Sequence, residues 1–314
     1  MNLPIFVDIE KAHDRIRPYI HNTPVMTSKS INEIVGAELF FKCENLQKVG
    51  AFKFRGACNS VFSLSDEEAR NGVCTHSSGN HAAALALAAR MRGIPAYIVM
   101  PGNAPEIKKK AVAGYGAQIT FCEPTQTARE STLKLIAEQT GATEIHPYNY
   151  FNVICGQGTA AKELIEETGH LDVVIVPVGG GGLLSGTAIS TKALLSNARV
   201  IGAEPAGADD AFRSYNSGTL HPSIAPKTIA DGLLTSLGSL TFPIVLNNVD
   251  QIATVSEEGI VAAMRMIWER MKIIIEPSSA VPLAAILENK VEVKGQKVGI
   301  ILSGGNVDLG KLPF

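Results

Sequence analysis

Four consecutive glycines restrict the fold of this chain more than any other feature of its sequence. Gly179, Gly180, Gly181 and Gly182, the glycine loop below, follow a β-branched segment at residues 173–178 and precede an apolar segment of helical period at 183–195. A buried strand, a glycine turn and a helix in this order are typical of parallel α/β architecture. Backbone amides and the helix dipole at such a turn favour an anion, and glycine lets a phosphate approach closely. The glycine loop is therefore predicted to be a phosphate cup.

The rest of the chain repeats this alternation of strand and helix. Strands are predicted at residues 38–43, 72–76, 96–100, 118–122, 173–178, 200–204 and 297–302. Helices are predicted at residues 80–91, 128–139, 159–168, 183–195 and 259–271. Glycine-containing loops follow three of the strands, at 77–80, 179–182 and 303–306. Because open α/β sheets bind ligands at the carboxyl ends of their strands, these loops predict one shared cleft.

Composition excludes several classes of function. The 28 Lys and Arg against 30 Asp and Glu give a net charge of −2 without a basic block, which disfavours nucleic acid as a partner. The apolar runs are far shorter than the ~20 residues of a membrane span, and charges interrupt the N-terminal segment where a signal peptide is apolar. We therefore expect a cytoplasmic protein without a membrane partner. A hydrophobic fraction of 46% predicts a large core and the interface of a homodimer.

The five cysteines are an odd set without a CxxC pair. They lie mostly in apolar segments, and they are Cys43, Cys58, Cys74, Cys122 and Cys155. This pattern predicts buried reduced thiols, and it favours neither a disulfide framework nor a zinc site.

A dinucleotide site is an alternative interpretation of the glycine loop. Glu204 ends the next predicted strand about 20 residues on, where a ribose-binding acid is expected. However, Ser185 stands where the third glycine or alanine of GxGxxG is needed, and the sequence contains no Walker motif. A dinucleotide-dependent oxidoreductase and a non-catalytic amino-acid-binding module remain as alternatives.

Lys53 is the candidate nucleophile. It lies between two phenylalanines in KVGAFKFRGA, in a loop that runs into a predicted helix. A lysine in this setting usually lies at the surface with its stem over apolar neighbours. A buried lysine, in contrast, has a lowered pKa and can form a Schiff base.

Several motifs together resemble one enzyme family. The segments are ENLQKVGAFKFRGA, SSGNHA, GQGT, VPVGGGGLLSG, EPAGADD, IADGL and SGGNVD. In this order they resemble the fold-type II pyridoxal-phosphate enzymes, specifically serine racemases and serine/threonine dehydratases, over essentially the whole chain. The resemblance implies a tryptophan synthase β-like α/β fold with two open parallel-sheet domains and the active site between them. The large cofactor-binding domain would comprise residues 1–68 and 150–314, and a small mobile domain residues 69–149.

The resemblance assigns residues to pyridoxal 5'-phosphate. Lys53 matches the lysine that carries the cofactor, Phe52 the residue that packs on its ring, and Asn80 the partner of the ring hydroxyl. The glycine loop and the amide of Leu183 match the phosphate cup. Ser303 matches the partner of the ring nitrogen. A neutral serine at that position favours rapid elimination over transamination.

Substrate and metal residues follow from the same resemblance. Arg129 matches an arginine near the substrate pocket, and one loop matches the segment whose amides bind the substrate carboxylate. This serine loop comprises Ser77, Ser78, Gly79, Asn80 and His81. Glu204, Asp210 and the carbonyl oxygen of Ala208 match a Mg²⁺ site, and such oxygen ligands also suit Mn²⁺ or Ca²⁺.

The implied reaction is β-elimination of a small hydroxy amino acid, L-serine or L-threonine, to a 2-oxo acid and ammonia. Lys53 would be the general base, and Ser78 matches the acid/base on the opposite face that gives serine racemases their second activity. A 3-hydroxyaspartate dehydratase fits the same motifs. Two departures from animal serine racemases bear on function: Val49 and Ala51 make activation by ATP unexpected, and Tyr148 replaces an asparagine of the substrate pocket.

Overall fold

The computed structural model describes residues 2–77, 79–104 and 106–314, with the backbone alone at Ile107. Within these ranges the chain forms ten strands and thirteen α-helices. The strands are β1 (Val25–Met26), β2 (Glu38–Cys43), β3 (Val73–His76), β4 (Ala96–Pro101), β5 (Gln118–Cys122), β6 (Thr143–Glu144), β7 (Val173–Pro177), β8 (Arg199–Pro205), β9 (Gln251–Val255) and β10 (Lys297–Leu302). The helices are α1 (Phe6–Ile16), α2 (Lys29–Val35), α3 (Lys53–Ser63), α4 (Asp66–Ala69), α5 (Asn80–Arg92), α6 (Glu106–Gly114), α7 (Gln126–Thr140), α8 (Phe151–Thr168), α9 (Gly182–Leu194), α10 (Asp210–Ser217), α11 (Thr241–Asn248), α12 (Glu257–Met271) and α13 (Pro277–Leu287).

Two sheets organise these elements, as the α/β prediction requires. The larger has the order β1-β2-β10-β7-β8-β9, in which only the short β1 is antiparallel to its neighbour. The smaller has the order β5-β4-β3-β6 and is parallel throughout. Since parallel strands are buried on both faces, near-continuous apolar runs such as β7 and β10 are expected at the centre of the larger sheet.

All seven predicted strands are confirmed, with shifts of one residue at some ends. The five predicted helices are confirmed as well, but α8 begins at Phe151, eight residues before the predicted start at Thr159. The strands β1, β6 and β9 were not predicted, and neither were the helices α1, α2, α4, α6, α10, α11 and α13. The five cysteines are free thiols, four of them buried, as predicted.

Glycines allow three helices behind the larger sheet to pack closely. A Cβ atom on Gly156 of α8 would lie 2.6 Å from the carbonyl oxygen of Arg55 in α3. A Cβ on Gly186 of α9 would lie 2.5 Å from the amide nitrogen of Gly158 in α8. These contacts fix α3, and with it the segment that carries Lys53, against the helical layer.

The carboxyl ends of β3, β7 and β10 lead into the three loops singled out in the sequence. β3 leads to the serine loop, β7 to the glycine loop and β10 to Ser303. No helix in the described ranges has the length and apolar character that a bilayer crossing requires.

Candidate active site

The segment before Lys53 pairs with the segment after β10, which is 250 residues away in sequence. Ala51 and Gly304 form an antiparallel bridge, and the Phe52 amide donates to the carbonyl oxygen of Ser303 at 3.0 Å. The Gly305 amide donates in turn to the Gly50 carbonyl at 2.9 Å. The predicted cofactor residues Phe52, Lys53 and Ser303 are thus brought together by backbone hydrogen bonds.

Lys53 begins α3 and points its amine into the interior. Its Nζ atom donates to the carbonyl oxygen of Pro147 at 2.8 Å and lies 5.1 Å from the centre of the Phe52 ring. Burial lowers the pKa of Lys53 to about 8, while the carboxyl group of Glu276 acts in the opposite direction. A lysine with this pKa has a sizeable neutral fraction near pH 7, which a nucleophile or general base requires.

The glycine loop lies between strand β7 and the first turn of α9. Gly181 has φ +83°, in the left-handed region that favours glycine. The ring of Tyr148 covers the loop so closely that a Cβ atom on Gly180 would lie 2.3 Å from it. Leu183 follows in the first turn and is buried. The first amides of α9 have no partner within the helix, so they are available to an anion at this position.

The serine loop connects β3 with α5. The amide of Ser77 donates to the Val99 carbonyl at 3.1 Å, and the Gly79 amide donates to the Ser77 hydroxyl at 3.4 Å. His81 is buried, and its Nε2 lies 3.2 Å from the Ile145 carbonyl oxygen, which requires the proton on Nε2. Ser78, the predicted acid/base, lies outside the described residues.

Ser303 is part of a small buried hydroxyl pair. Its Oγ lies 3.0 Å from Oγ of Ser279, at the start of α13. The Ser279 hydroxyl also exchanges hydrogen bonds of 2.7 Å with the amide and carbonyl of Gly304. Both serines are neutral and buried, so a cofactor atom bound beside Ser303 would contact a hydroxyl group and not a carboxylate.

Glu276 is a site residue that the sequence analysis missed. It precedes α13, is only 4% exposed, and accepts hydrogen bonds from the side chain of Asn80 and the amide of Asn306. Burial raises its pKa to about 7. Glu276 begins the sequence EPSS, which has no helical period and matches none of the glycine-containing loops, so no local signal indicated its role.

Arg129 lies on α7, behind the smaller sheet. Burial lowers the pKa of His76, and the nearby charge of Arg129 lowers it further. The Arg129 Nε atom is buried and has no hydrogen-bond partner among the described residues. A cavity of about 560 Å³ on this side of the sheet has His76 and His146 in its wall.

The predicted metal ligands Glu204, Ala208 and Asp210 lie between the end of β8 and the start of α10, and they are called the acidic pocket below. Glu204 is fully buried and accepts hydrogen bonds from the amides of Ala211 (3.0 Å) and Phe212 (2.9 Å). Neither carboxylate oxygen of Asp210 has a hydrogen-bond partner with good geometry among the described residues. Burial raises the pKa of Glu204 to about 8 and that of Asp210 to about 6. A divalent cation bound here would lower both pKa values, so the two carboxyl groups fit such an ion.

The acidic pocket contains fewer ligating side chains than a site built entirely from His, Cys, Asp and Glu. Within the described ranges, no group of three or more His, Cys, Asp and Glu side chains gathers around one point. Two carboxylates and the Ala208 carbonyl would leave half of the positions of an octahedron to water, which suits Mg²⁺.

The residues around Lys53 fit pyridoxal phosphate. The amine with lowered pKa suits a carbonyl carbon, the amides of the glycine loop suit a phosphate, and the Ser303 hydroxyl suits a ring nitrogen. Each of these groups comes from a different element of the larger sheet or its helices. Together they offer contacts to the carbonyl carbon, the phosphate and the ring nitrogen of one small cofactor.

Comparison with known proteins agrees with this chemistry. The family model described as pyridoxal-phosphate dependent enzyme matches residues 16–304. A serine racemase of Dictyostelium discoideum is 56% identical over 309 residues, which cover 97% of this chain and 95% of that protein. A beta-hydroxyaspartate dehydratase of Paracoccus denitrificans is 52% identical over 314 residues, the full length of both.

The fold is similar to that of solved enzymes as well. The structure of maize serine racemase superposes with a TM-score of 0.96 at 49% identity, covering 98% of this chain and 95% of that chain. Similarity at this level extends over both sheets and all three site loops.

Proposed function

We propose a reaction for this chain from one premise: it belongs to the family of pyridoxal-phosphate-dependent enzymes. The reaction is elimination of the β-hydroxyl group from L-serine or L-threonine, with release of a 2-oxo acid and ammonia. The observation that carries the proposal is the amine of Lys53, which has a lowered pKa and lies beside the Phe52 ring and the Ser303 segment.

Each step can be assigned to residues of this chain. When bound, pyridoxal phosphate supplies an electron sink for the pair left at Cα. The glycine loop and the Leu183 amide hold the phosphate, and the amides of the serine loop orient the substrate carboxylate. Lys53, once the substrate amine has displaced it, removes the Cα proton as general base. The Cβ–O bond then breaks, and the hydroxyl leaves as water with a proton that the cofactor phosphate would supply. Hydrolysis of the released enamine gives the 2-oxo acid and ammonia.

A neutral partner for the ring nitrogen favours elimination over transamination. Ser303 has the Ser279 hydroxyl as its neighbour, whereas a carboxylate there would stabilise a protonated ring nitrogen. Proton delivery to the former aldehyde carbon of the cofactor, which transamination needs, would then compete poorly with loss of the β-hydroxyl. We therefore expect 2-oxo acid to be the main product from L-serine.

3-Hydroxyaspartate is the second candidate substrate. Two observations favour it: the full-length similarity to a beta-hydroxyaspartate dehydratase, and a buried Arg129 Nε without a hydrogen-bond partner among the described residues. Arginine pairs with carboxylates in a bidentate geometry, so Arg129 suits the second carboxylate of this substrate. An Arg129→Lys variant should then lose more activity towards 3-hydroxyaspartate than towards L-serine.

A substrate panel tests the proposal. L-Serine, D-serine, L-threonine and 3-hydroxyaspartate are each incubated with the enzyme, and the 2-oxo acid and the opposite enantiomer are measured. Elimination from at least one L-hydroxy amino acid is expected, and it should be absent from Lys53→Ala. A colourless protein that borohydride does not label at Lys53 would instead favour the oxidoreductase or the non-catalytic alternative.

Racemisation of serine is a further activity that depends on Ser78. A proton delivered to the second face of Cα produces the D-enantiomer, and a serine hydroxyl there needs a lowered pKa to act as base. The 56% identity to a serine racemase supports this assignment. Elimination and racemisation are separable by the Ser78→Ala variant.

A divalent cation is part of the proposal. Mg²⁺, or Mn²⁺ or Ca²⁺, would be held by Glu204, Asp210 and the Ala208 carbonyl, because both carboxyl groups are buried and the oxygens of Asp210 have no hydrogen-bond partner among the described residues. Its function would be structural support of the loop before α10. Mg²⁺ should raise the melting temperature of the wild type and leave Asp210→Asn unchanged, whereas an equal shift in both would place the ion elsewhere.

Assembly, domain division and location complete the proposal. We expect a homodimer, which light scattering can measure, and a small domain of residues 69–149 that moves against residues 1–68 and 150–314. All four strands of the smaller sheet lie within that range, which supports the division. Five free cysteines support a reducing compartment, the cytoplasm.

A further inference from the structure

Asn80, at the start of α5, is held at both ends of its side-chain amide. Its Nδ2 atom donates to both carboxylate oxygens of Glu276, each at 3.1 Å. Its Oδ1 atom accepts a hydrogen bond of 2.9 Å from the side chain of Asn306. Three separate segments of the chain therefore meet at one amide group.

The direction of these hydrogen bonds is fixed by a backbone carbonyl. Asn306 Nδ2 also donates to the carbonyl oxygen of Val49 at 2.8 Å, and a carbonyl oxygen can only accept. The amide nitrogen of Asn306 must therefore face Val49, which leaves its second N–H for Asn80 Oδ1. The nitrogen of Asn80 must then face Glu276, whose carboxylate accepts. Reversing either amide would set a donor against a donor or an acceptor against an acceptor.

One N–H of Asn80 remains outside this chain of hydrogen bonds. The bond to the two oxygens of Glu276 is shared and uses one N–H, and Oδ1 is occupied by Asn306. Asn80 can therefore offer the cofactor a donor and no acceptor. An oxygen that receives an N–H hydrogen bond at this point is favoured as its deprotonated, accepting form.

We infer that Glu276 is a positioning residue: with Asn306 it orients Asn80 so that only an N–H faces the ring oxygen of the cofactor. Glu276 is 4% exposed and also accepts from the amide of Asn306 at 3.2 Å, so its own position is fixed. A Cβ atom on Gly304 would lie 3.0 Å from the Glu276 carboxyl group, so glycine leaves room for this side chain. The inference rests on the proposed function, since it presumes that pyridoxal phosphate binds at Lys53.

The groups around Glu276 shift its pKa in both directions. Burial raises its pKa to about 7, and the hydrogen bond from Asn80 lowers it. Asp231 raises the pKa of Glu276 further, whereas Lys108 lowers it. The carboxyl group in turn raises the pKa of Lys53, so the two groups stabilise each other's charged forms.

The test uses Glu276→Gln in the full-length enzyme. Glutamine keeps the size of the side chain, but its NH₂ group replaces one of the two carboxylate oxygens that share the N–H of Asn80, and it therefore opposes a donor. We expect cofactor affinity, measured by titrating the apo protein with pyridoxal phosphate, to fall about tenfold, as for loss of one hydrogen bond to a charged group. The visible absorbance maximum of the bound cofactor should shift as well.

A matched control lies at the other end of the same helix. Glu288 follows α13, is partly buried, and accepts hydrogen bonds from the backbone amide and the hydroxyl of Ser256, away from Lys53. Glu288→Gln makes the same chemical change on the same helix. It should lower stability without changing the affinity or the absorbance maximum of the cofactor.

A double-mutant cycle distinguishes positioning from a general structural effect. If Glu276 acts through Asn80, Glu276→Gln should change affinity and absorbance in the wild-type background and change neither in an Asn80→Ala background. Equal effects in both backgrounds, a wild-type spectrum and affinity in Glu276→Gln, or failure of that variant to fold would each overturn the inference. Failure of the proposed function is recognised separately, because Lys53→Ala would then retain the spectrum of the wild type.

Discussion

The buried ion cluster around Arg55 predicts how much stability is lost when this arginine is replaced by alanine. The guanidinium group has no exposed surface and donates to the carboxylates of Glu44 (2.7 and 2.8 Å) and Glu163 (2.8 and 2.6 Å). In Arg55→Ala, Glu163 would still have its ion pair with Lys42 at 2.8 Å. Glu44, in contrast, would retain only the hydrogen bond from the Thr23 hydroxyl among the described residues. Removing one partner of a buried ion pair costs about 3–5 kcal/mol.

This free energy corresponds to a measurable shift in melting temperature. For 314 residues the unfolding entropy is about 0.7 kcal/mol/K, from about 2.1 cal/mol/K per residue. The melting temperature of Arg55→Ala should therefore fall by about 5–8 °C at pH 7, measured by calorimetry on the cofactor-free protein. Arg265→Ala is the control, because Arg265 pairs with Glu269 at the surface and is 61% exposed. Its cost should stay below about 1 kcal/mol.

The pH dependence of the difference is a second check. Burial raises the pKa of Glu163, but hydrogen bonds from His13 and Arg55 outweigh burial and hold the pKa well below its ordinary value of 4.5. A lowered carboxyl pKa contributes stability that is complete above the ordinary value and is lost as the pH falls towards the folded value. The gap between wild type and Arg55→Ala should thus narrow below about pH 4.5. Equal losses in Arg55→Ala and Arg265→Ala, or a gap that stays constant down to pH 3, would refute the reasoning.

Three further substitutions test the site directly. Lys53→Ala should abolish the visible absorbance of the bound cofactor together with elimination, and an unchanged spectrum would remove Lys53 from its role. Ser78→Ala should spare elimination from L-serine while chemistry on D-serine is lost; equal loss of both would mean that Ser78 acts structurally. Gly180→Ala places a Cβ atom 2.3 Å from the Tyr148 ring and should weaken cofactor binding by about 1–3 kcal/mol, as overpacking does. Adding Tyr148→Ala should restore binding in a spectrophotometric titration, and no recovery would place the conflict elsewhere.

Local sequence patterns were sufficient for most strands of the two sheets, whereas most site residues were assigned from the resemblance to a known family. Most predicted strands contain β-branched residues and are bounded by glycine or polar residues, so their presence follows from short-range signals. The loops at the ends of β3, β7 and β10 could be identified because glycine after an apolar strand is a strong local signal. That these loops belong to one cleft follows from the rule for open α/β sheets.

Packing explains why α8 was predicted only in part and why α13 was not predicted. Gly156 and Gly158 lower the helix propensity at the start of α8, yet they are needed there because α3 and α9 approach within contact of their Cα atoms. Helix α13 is apolar on nearly all sides and contains Pro282, so it has neither an amphipathic period nor an unbroken pattern. Tertiary packing overrides local propensity in both.

Glu276 shows why part of the site could not be predicted from local patterns. A lone glutamate before a helix is most simply a surface residue or a cap, and nothing in its neighbourhood indicates burial. Its environment is created by Asn80, 196 positions earlier in the chain, and by Asn306, 30 positions later. Only the parallel order β2-β10-β7 brings the segment after β10 beside Lys53 and so encloses the carboxyl group.

The position of Lys53 likewise depends on contacts outside its own motif. The KVGAFK segment is held by backbone pairing with Ser303, Gly304 and Gly305, but this pairing sets only the start of α3. Two residues later, Arg55 attaches the same helix to Glu44, which follows β2, and to Glu163 of α8. Glu163 also binds Lys42 of β2, and all four side chains are buried. A lysine with a free surface stem would have its ordinary pKa, whereas attachment at both points keeps the amine of Lys53 buried and its pKa low. If Arg55→Ala folds, Lys53 should therefore bind the cofactor less tightly even though Arg55 does not contact it.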